Sequence, residues 1–334
     1  MKTSKENPIY TVKITTKDTI YNITPVLTSI SFSEQEKQIA ECVNISLMDI
    51  AVKGKKLSDI FTPRNRVLVY ANDGSRSEEV FRGYVWDVIP KDSLTESEIT
   101  LKCYDNLIYW QESDDSDFFQ AGKYTDEIVG AVCKTWGVTM DYQYERITHE
   151  KLVMRCKIAD FIVEDVLATV QTRTGRKYTL RSEKDVVKIK LAGANETVYK
   201  ITKANNAIEL RRYITLNGVI TRVVILGTAS DDEKTPVEAT ISGDTDEYGT
   251  LQSIISKDED TSLDDAKKEA NEIIAEKGKP TWEYDVSATN IPWIRKGDRV
   301  ELNMSSLKGL YLVKSISRDI SNKGQTMTLT VVEL

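Results

Sequence analysis

The chain has 334 residues, with 45 Lys and Arg against 52 Asp and Glu and a formal net charge of -7. That length is enough for two or three domains with cores of their own, and lysines and acids mixed along an acidic chain exclude electrostatic wrapping of nucleic acid. No apolar run reaches membrane-spanning length, and Met1-Lys2-Thr3-Ser4-Lys5-Glu6-Asn7-Pro8 offers no apolar core for a signal peptide, so the expectation is a chain made in a cytosol without membrane insertion.

From residue 9 to 110 the apolar period is two. Tyr10, Val12 and Ile14 alternate, then Val43, Ile45 and Leu47, with Asn72-Asp73-Gly74 as a turn signal and one short helical turn from Lys56 to Phe61, ended before Pro63. Three strands stand out in this stretch: Arg66 to Tyr70, Phe81 to Val88 and Ile99 to Cys103. The same order closes the chain as Arg299 to Leu302, Gly309 to Ile316 and Thr326 to Val332, with shorter loops. Two similar β-modules in one chain suggest an architectural part, since repeated modules readily build rings and stacks.

After residue 110 the period becomes helical. Thr125 is placed to cap a helix running to Gly137, with Asp126 and Glu127 in the first turn and Ile128, Val129, Val132, Cys133 and Trp136 as its stripe. A second helix is expected from Asp160 to Thr174, with Ile162, Val166, Leu167 and Val170 on one side, followed by strands at 177–181 and 186–191 around the turn Ser182-Glu183-Lys184-Asp185. Alternation returns from residue 206. A polar stretch opened by Asp231-Asp232-Glu233 then leads to a helix from Leu263 to Lys277, capped by Ser262 with Asp265 three residues on and ended by Gly278. The predicted fold class is mainly β with α+β insertions: a first antiparallel β-module over 1–110, a small α+β domain over 111–205, and a second β-module over 206–334 interrupted by an αβ insertion at about 231–280.

Catalytic chemistry finds little to use. His149 is the single histidine, sits in a polar stretch and reads as a solvated loop residue, which removes His-x-x-x-His zinc sites and leaves a Ser-His-Asp unit without a nucleophile motif. Cys42, Cys103, Cys133 and Cys156 are far apart and read as small buried hydrophobes. The acidic runs Asp114-Asp115-Ser116-Asp117 and Asp258-Glu259-Asp260 read as solvated. Asp244-Thr245-Asp246-Glu247-Tyr248-Gly249 begins like a calcium loop, but Tyr248 stands where an oxygen ligand is wanted. No catalytic residue, metal site or cofactor is therefore assigned. Large amphipathic side chains anchor contacts at small entropic cost, and the candidate interface residues are Tyr70, Trp86, Trp293 and Leu310.

Several strings in order resemble the baseplate hub proteins of contractile phage tails, in particular the hub of PBSX-like phages and the late control D type. They are Leu101-Lys102-Cys103-Tyr104-Asp105-Asn106-Leu107-Ile108-Tyr109-Trp110, then Gly122 to Val129 with Gly137-Val138, then Asp165-Val166-Leu167 to Thr174-Gly175-Arg176-Lys177-Tyr178. Thr221-Arg222-Val223-Val224-Ile225-Leu226-Gly227 follows, and the last runs from Tyr248-Gly249-Thr250-Leu251-Gln252 to Ile294-Arg295-Lys296-Gly297-Asp298-Arg299-Val300. Thr221 departs from the Asn that relatives often carry there. The resemblance implies two tube-like antiparallel β-barrels in a homotrimer whose ring, of quasi-sixfold symmetry, joins a hexameric tail tube to a trimeric spike. The implied partners are a second and third copy of the chain, the tail tube protein, the spike protein and other baseplate proteins, with no specific nucleic-acid binding. The particle would be a phage tail or a tail-like bacteriocin. A peptidoglycan hydrolase of a tail tip and a carbohydrate-binding surface β-protein remain as alternatives.

Overall fold

In Val43-Asn44-Ile45-Ser46-Leu47 the apolar residues share one face of a strand, and all three are fully buried. This pattern, repeated along the chain, makes the fold mainly β with α+β elements. The computed structural model describes residues 7–93, 97–227, 235–257, 262–304 and 307–334. It divides into two units, one of residues 1–211 with 285–334 and one of residues 212–284. The acidic runs at 231–233 and 258–260 lie outside the described residues.

In the larger unit, the strands run in the order Gly324–Glu333, Leu307–Ser321, Leu27–Glu34, Cys42–Met48, Ser97–Tyr104, Ser77–Asp92, Arg66–Asn72, Ile9–Thr15, Ile20–Asn22. Both β-modules thus share one sheet. The join is antiparallel, with Ile316 opposite Glu34, Arg318 opposite Phe32 and Ile320 opposite Ile30. Val12, Ile14, Ile30, Phe32, Val67, Val69, Leu101 and Cys103 meet in a single core, and the rings of Tyr10 and Phe32 lie 5.9 Å apart although their strands stand far apart in the sheet order. The sheet therefore curls round its own core. Among the described residues no barrel closes by hydrogen bonds. The outer edge of Leu27–Glu34, which closure would need, is already bonded to Leu307–Ser321.

The repeat holds from the entering turn through the first four strand pairs and the bulge, and parts after Val69, where the first module has a further register shift that the last module lacks. Arg66 lies opposite Tyr84 and Val85 opposite Cys103; in the last module Arg299 lies opposite Leu312 and Val313 opposite Val331. Each long strand bulges at the same place, with Trp86 and Lys314 as the extra residues. The turns that enter the modules also match. The Arg64 N–H donates to Val85 O at 2.8 Å and the Gly297 N–H to Val313 O at 2.8 Å. The Val85 N–H donates to Asn65 O and the Val313 N–H to Asp298 O, both at 2.9 Å. Arg64 and Gly297 both take left-handed φ, 69° and 83°. Asn65 Oδ1 accepts the Thr62 N–H at 3.0 Å as Asp298 Oδ2 accepts the Arg295 N–H at 2.9 Å. Ser46 meets Thr100 and Ser287 meets Thr328 through their hydroxyls, each at 3.2 Å.

The segment between the modules packs helix Thr125–Thr135 and the continuous helical run from Ile158 to Thr174, π-wound over Phe161–Leu167, against a three-stranded sheet. Thr139–Gln143 runs parallel to Val186–Leu191, which pairs antiparallel with Tyr178–Glu183. The stripe residues Ile128, Val129, Val132, Cys133, Ile162, Val166 and Leu167 share one core with Leu180, Val187 and Ile189. The strands extend to Glu183 and from Val186, so the turn is only Lys184-Asp185, both in left-handed φ, 52° and 67°. Thr125 does not cap its helix. Its hydroxyl donates to Ile147 O at 3.2 Å and meets His149 Nε2 at 3.0 Å, while the Glu127 carboxylate accepts the Tyr124 N–H.

In the smaller unit, Arg222–Leu226 pairs antiparallel with Val237–Ser242 and parallel with Gln252–Ser256. Helix Leu263–Lys277 covers this sheet through Ala266 and Ala270, which pack with Val223 and Ile225. Its cap is the expected one, with Ser262 Oγ accepting the Asp265 N–H at 3.1 Å.

Candidate functional site: a buried ionic joint

Inward-facing positions of a strand normally carry apolar side chains, and two positions in the joined sheet break that rule. Glu34 follows Ile30 and Phe32 on the inward parity, and Arg318 lies between Ile316 and Ile320; both are buried, at 2% and 3% exposure. Burying a charge is tolerable only with partners. These come from the turn Arg295-Lys296-Gly297-Asp298. Arg295 Nε donates to Glu34 Oε1 at 2.7 Å and its Nη2 to Glu41 Oε2 at 3.0 Å. Arg318 Nη2 donates to Ile294 O. Lys296 Nζ donates to Gln35 O at 3.0 Å and Gln38 O at 2.6 Å.

The same turn grips the middle segment. Arg181 donates through Nη1 to Asp298 Oδ1 at 2.9 Å and through Nε to Glu183 Oε1 at 2.7 Å. Thr179 Oγ1 donates to Lys296 O at 3.3 Å. On the other side Asp105 accepts the backbone N–H of Glu41 at 3.1 Å and of Leu107 at 3.0 Å. The hairpin tip is held too, with Asp185 paired to Arg66 and lying 3.7 Å from Arg82. A polar cleft of about 610 Å³ opens beside this joint, with Glu41, Asp105, Arg181, Glu183, Arg295 and Asp298 among its walls. Residues from all three sequence segments thus meet around one four-residue turn.

Burial pushes the Glu41 carboxyl up to about 8, against the pull of Arg295, and Asp105 up to about 7, against the backbone donors it accepts. Burial would raise Glu34 as well, but the charge and hydrogen bond of Arg295, with help from Arg318, hold it below its usual range. Carboxyls raised in this way bind protons in the folded state that the unfolded chain has released, so stability falls as pH rises through the window between the two values. His149, pushed down to about 4 by burial and then by Arg173, works in the opposite sense but only below about pH 6.5. Between pH 6.5 and 8.5 the joint therefore dominates. The full chain is expected to lose roughly 1–3 kcal/mol over that range, and Glu41→Gln to flatten the slope. Urea midpoints measured at both pH values check this, and an unchanged slope in the variant would refute the assignment to Glu41.

Of the candidate interface residues, Leu310 is exposed at 46%, while Tyr70, Trp86 and Trp293 are half-buried. Lys13 Nζ lies 5.5 Å from the Tyr70 ring centre, and Trp86 packs edge-on against Tyr104 and Tyr109. Trp293 Nε1 donates to Asp73 Oδ2 at 3.1 Å under a stacked Arg76. Trp86 occupies the first module's bulge; Tyr70, Leu310 and Trp293 lie on other strands and turns. His149 is not solvated. It is 3% exposed, because the loop folds back on the helix start, where the His149 N–H donates to Lys123 O at 2.9 Å. Cys103 and Cys133 are buried as expected, whereas Cys42 and Cys156 are half-exposed. Asp244 to Gly249 forms a short helix, Thr245–Tyr248, and among the described residues no three His, Cys, Asp or Glu side chains converge as a metal site.

This curled, repeat-built sheet is a fold shared with solved phage tail proteins. The chain is similar to the 43 kDa tail protein of prophage MuSo2 from Shewanella oneidensis at 16% identity, covering 97% of this chain and 98% of that one with a TM-score of 0.65. It is similar to a tail protein from Neisseria meningitidis at 11% identity, with 97% and 96% covered and a TM-score of 0.67. A component of the Escherichia coli type VI secretion system matches at 9% identity over 97% of this chain and 76% of that one, with a TM-score of 0.58. No curated protein matches in sequence. Residues 30–332 match the YQBQ-like family, and the chain belongs to it.

Proposed function

We propose that this chain is a non-enzymatic baseplate hub of a contractile tail, phage or tail-like bacteriocin, in which two barrel-type modules flanking a middle domain alternate around a homotrimeric ring. The observation that carries the reading is the repeated module, with the same entering turn and the same bulge in both copies. A hexameric tube meeting a trimeric spike needs two similar surfaces per subunit, so three copies present six. The fold's likeness to tail proteins supports the setting, and the type VI component is itself described as structurally similar to the T4 tail proteins gp27 and gp5. The ionic joint supports it mechanically, since it ties both modules and the middle segment into one piece.

The partners in this reading are the tube protein above, the spike below and the surrounding baseplate proteins. Imaging of the assembled particle is expected to find three copies on the tail axis at the end of the tube; a single copy, or a position off the axis, would refute it. The raised carboxyls beside the cleft favour the hydrolase alternative, but both Asp105 oxygens already accept backbone N–H groups and Glu41 is paired with Arg295. Zymography on cell-wall substrate separates the two, with no lysis expected from the hub.

A further inference from the structure

The repeat also says which edges of the chain are unfilled. In the last module the outer edge of Leu307–Ser321, from Ile316 to Ser321, is occupied by strand Leu27–Glu34 of the first module. The equivalent stretch of the first module is Val88 to Asp92, since Val88 faces Leu101 as Ile316 faces Leu329. Among the described residues no strand occupies that edge. Ile89 is 49% exposed there, and Asp87 and Pro90 to Asp92 are exposed as well. Conversely, Leu27–Glu34 lies outside Cys42–Met48 in the first module, and Ala207–Thr215 takes that place outside Thr281–Thr289 in the second. Its outer edge ends the sheet, and Ile208 on it is 61% exposed.

We infer that the edge at Val88–Asp92 receives strand Ala207–Thr215 of a second copy of this chain, antiparallel, as Ile316–Ser321 receives Leu27–Glu34 within one copy. The inference rests on the ring reading above and adds its contact. Among the described residues there is one free edge of each of these two kinds, so the contact is head-to-tail and passes from copy to copy until a ring closes. A sheet edge with exposed isoleucines would otherwise be an aggregation template. Pro90 stands where the last module has Arg318 and withholds one donor, so the contact between copies has fewer backbone bonds than the contact within a copy.

The test uses the full-length chain, with Ile89→Lys and Ile208→Lys made separately. Both positions are exposed, so each variant is expected to fold and to match the unfolding midpoint of the parent at protein concentrations low enough to dissociate it. Sedimentation is expected to give trimers for the parent and monomers for each variant. A mixture of the two variants retains one good edge of each kind and is expected to stop at dimers. Trimers that persist in both variants would overturn the edge assignment and leave the ring reading standing. A parent chain that stays monomeric at its highest soluble concentration would overturn both. Trimers recovered by the mixture would also overturn the edge, because only a contact that pairs like with like could restore them.

Discussion

Arg295→Ala is expected to lower the stability of the chain by about 3–5 kcal/mol, the cost of leaving buried carboxylates without their counter-charge. Among the described residues Arg295 is the one side chain paired with both Glu34 and Glu41, whose side chains are 2% and 4% exposed. Burial alone would ease the proton off Arg295, but the two glutamates outweigh it and the guanidinium stays charged. Glu41 takes a proton near neutral pH even beside Arg295, whereas Glu34 loses its main counter-charge and is left to more weakly placed positive neighbours such as Arg318 and Lys296. The loss should therefore shrink as pH falls, because burial raises both carboxyls once the guanidinium is gone and protonation relieves the missing counter-charge. Urea unfolding at pH 8 and pH 5 measures it, and adding Glu34→Gln with Glu41→Gln should recover much of the deficit. A loss under about 1 kcal/mol at pH 8 would mean that the joint is solvated like a surface pair.

The strands and helices were legible because their apolar residues recur at clear periods. The matched triplets at 66–103 and 299–332 could be aligned by eye, and the structure places Val85 with Val313 as that alignment does. What the repeat reading left out was the turn before each triplet. Thr62-Pro63-Arg64-Asn65 and Arg295-Lys296-Gly297-Asp298 share no residue position for position, yet form the same hydrogen bonds. A backbone conformation can be supplied by Arg at one site and Gly at the other, so identity hides it. The ionic joint was missed for a different reason. Its members lie far apart in sequence, and only the pairing of Leu307–Ser321 with Leu27–Glu34 brings them together. A local signal existed in Glu34 and Arg318, each a charge on an inward parity of its strand. His149 misled because a polar sequence context says nothing about a loop that folds back onto a helix start.

Joining two modules by sheet extension and then locking them with charge gives two kinds of strength. Backbone pairing fixes register but tolerates twist, while the Arg295 network demands one geometry. Between copies, the proposed edge contact has the first kind only. In the proposed ring, the larger unit of each copy would be held by both kinds of strength and the joint between copies by backbone pairing.

Gly297→Ala is expected to cost about 2–4 kcal/mol, because it combines left-handed strain with an overpacked contact. Gly297 has φ +83°, and a Cβ there would lie 2.1 Å from Thr179 Oγ1 and 2.3 Å from Thr179 Cβ. The clash is with the base of a branched side chain on a paired strand, which cannot swing aside. Either the turn lifts, breaking the Gly297 N–H bond to Val313 O, or strand Tyr178–Glu183 shifts and loosens Arg181 from Asp298. Arg64 supplies the control. It holds the same place in the first module at φ 69°, but it is exposed and has no such wall beside it. Arg64→Gly removes the strain without adding a contact and is expected to be neutral or stabilising by up to ~1 kcal/mol, the left-handed gain being partly offset by the freedom glycine adds to the unfolded chain. Thermal midpoints of the two variants measured side by side decide the matter. Equal losses at both sites would show that φ alone governs these turns, and a harmless Gly297→Ala would show that the turn does not press against Thr179.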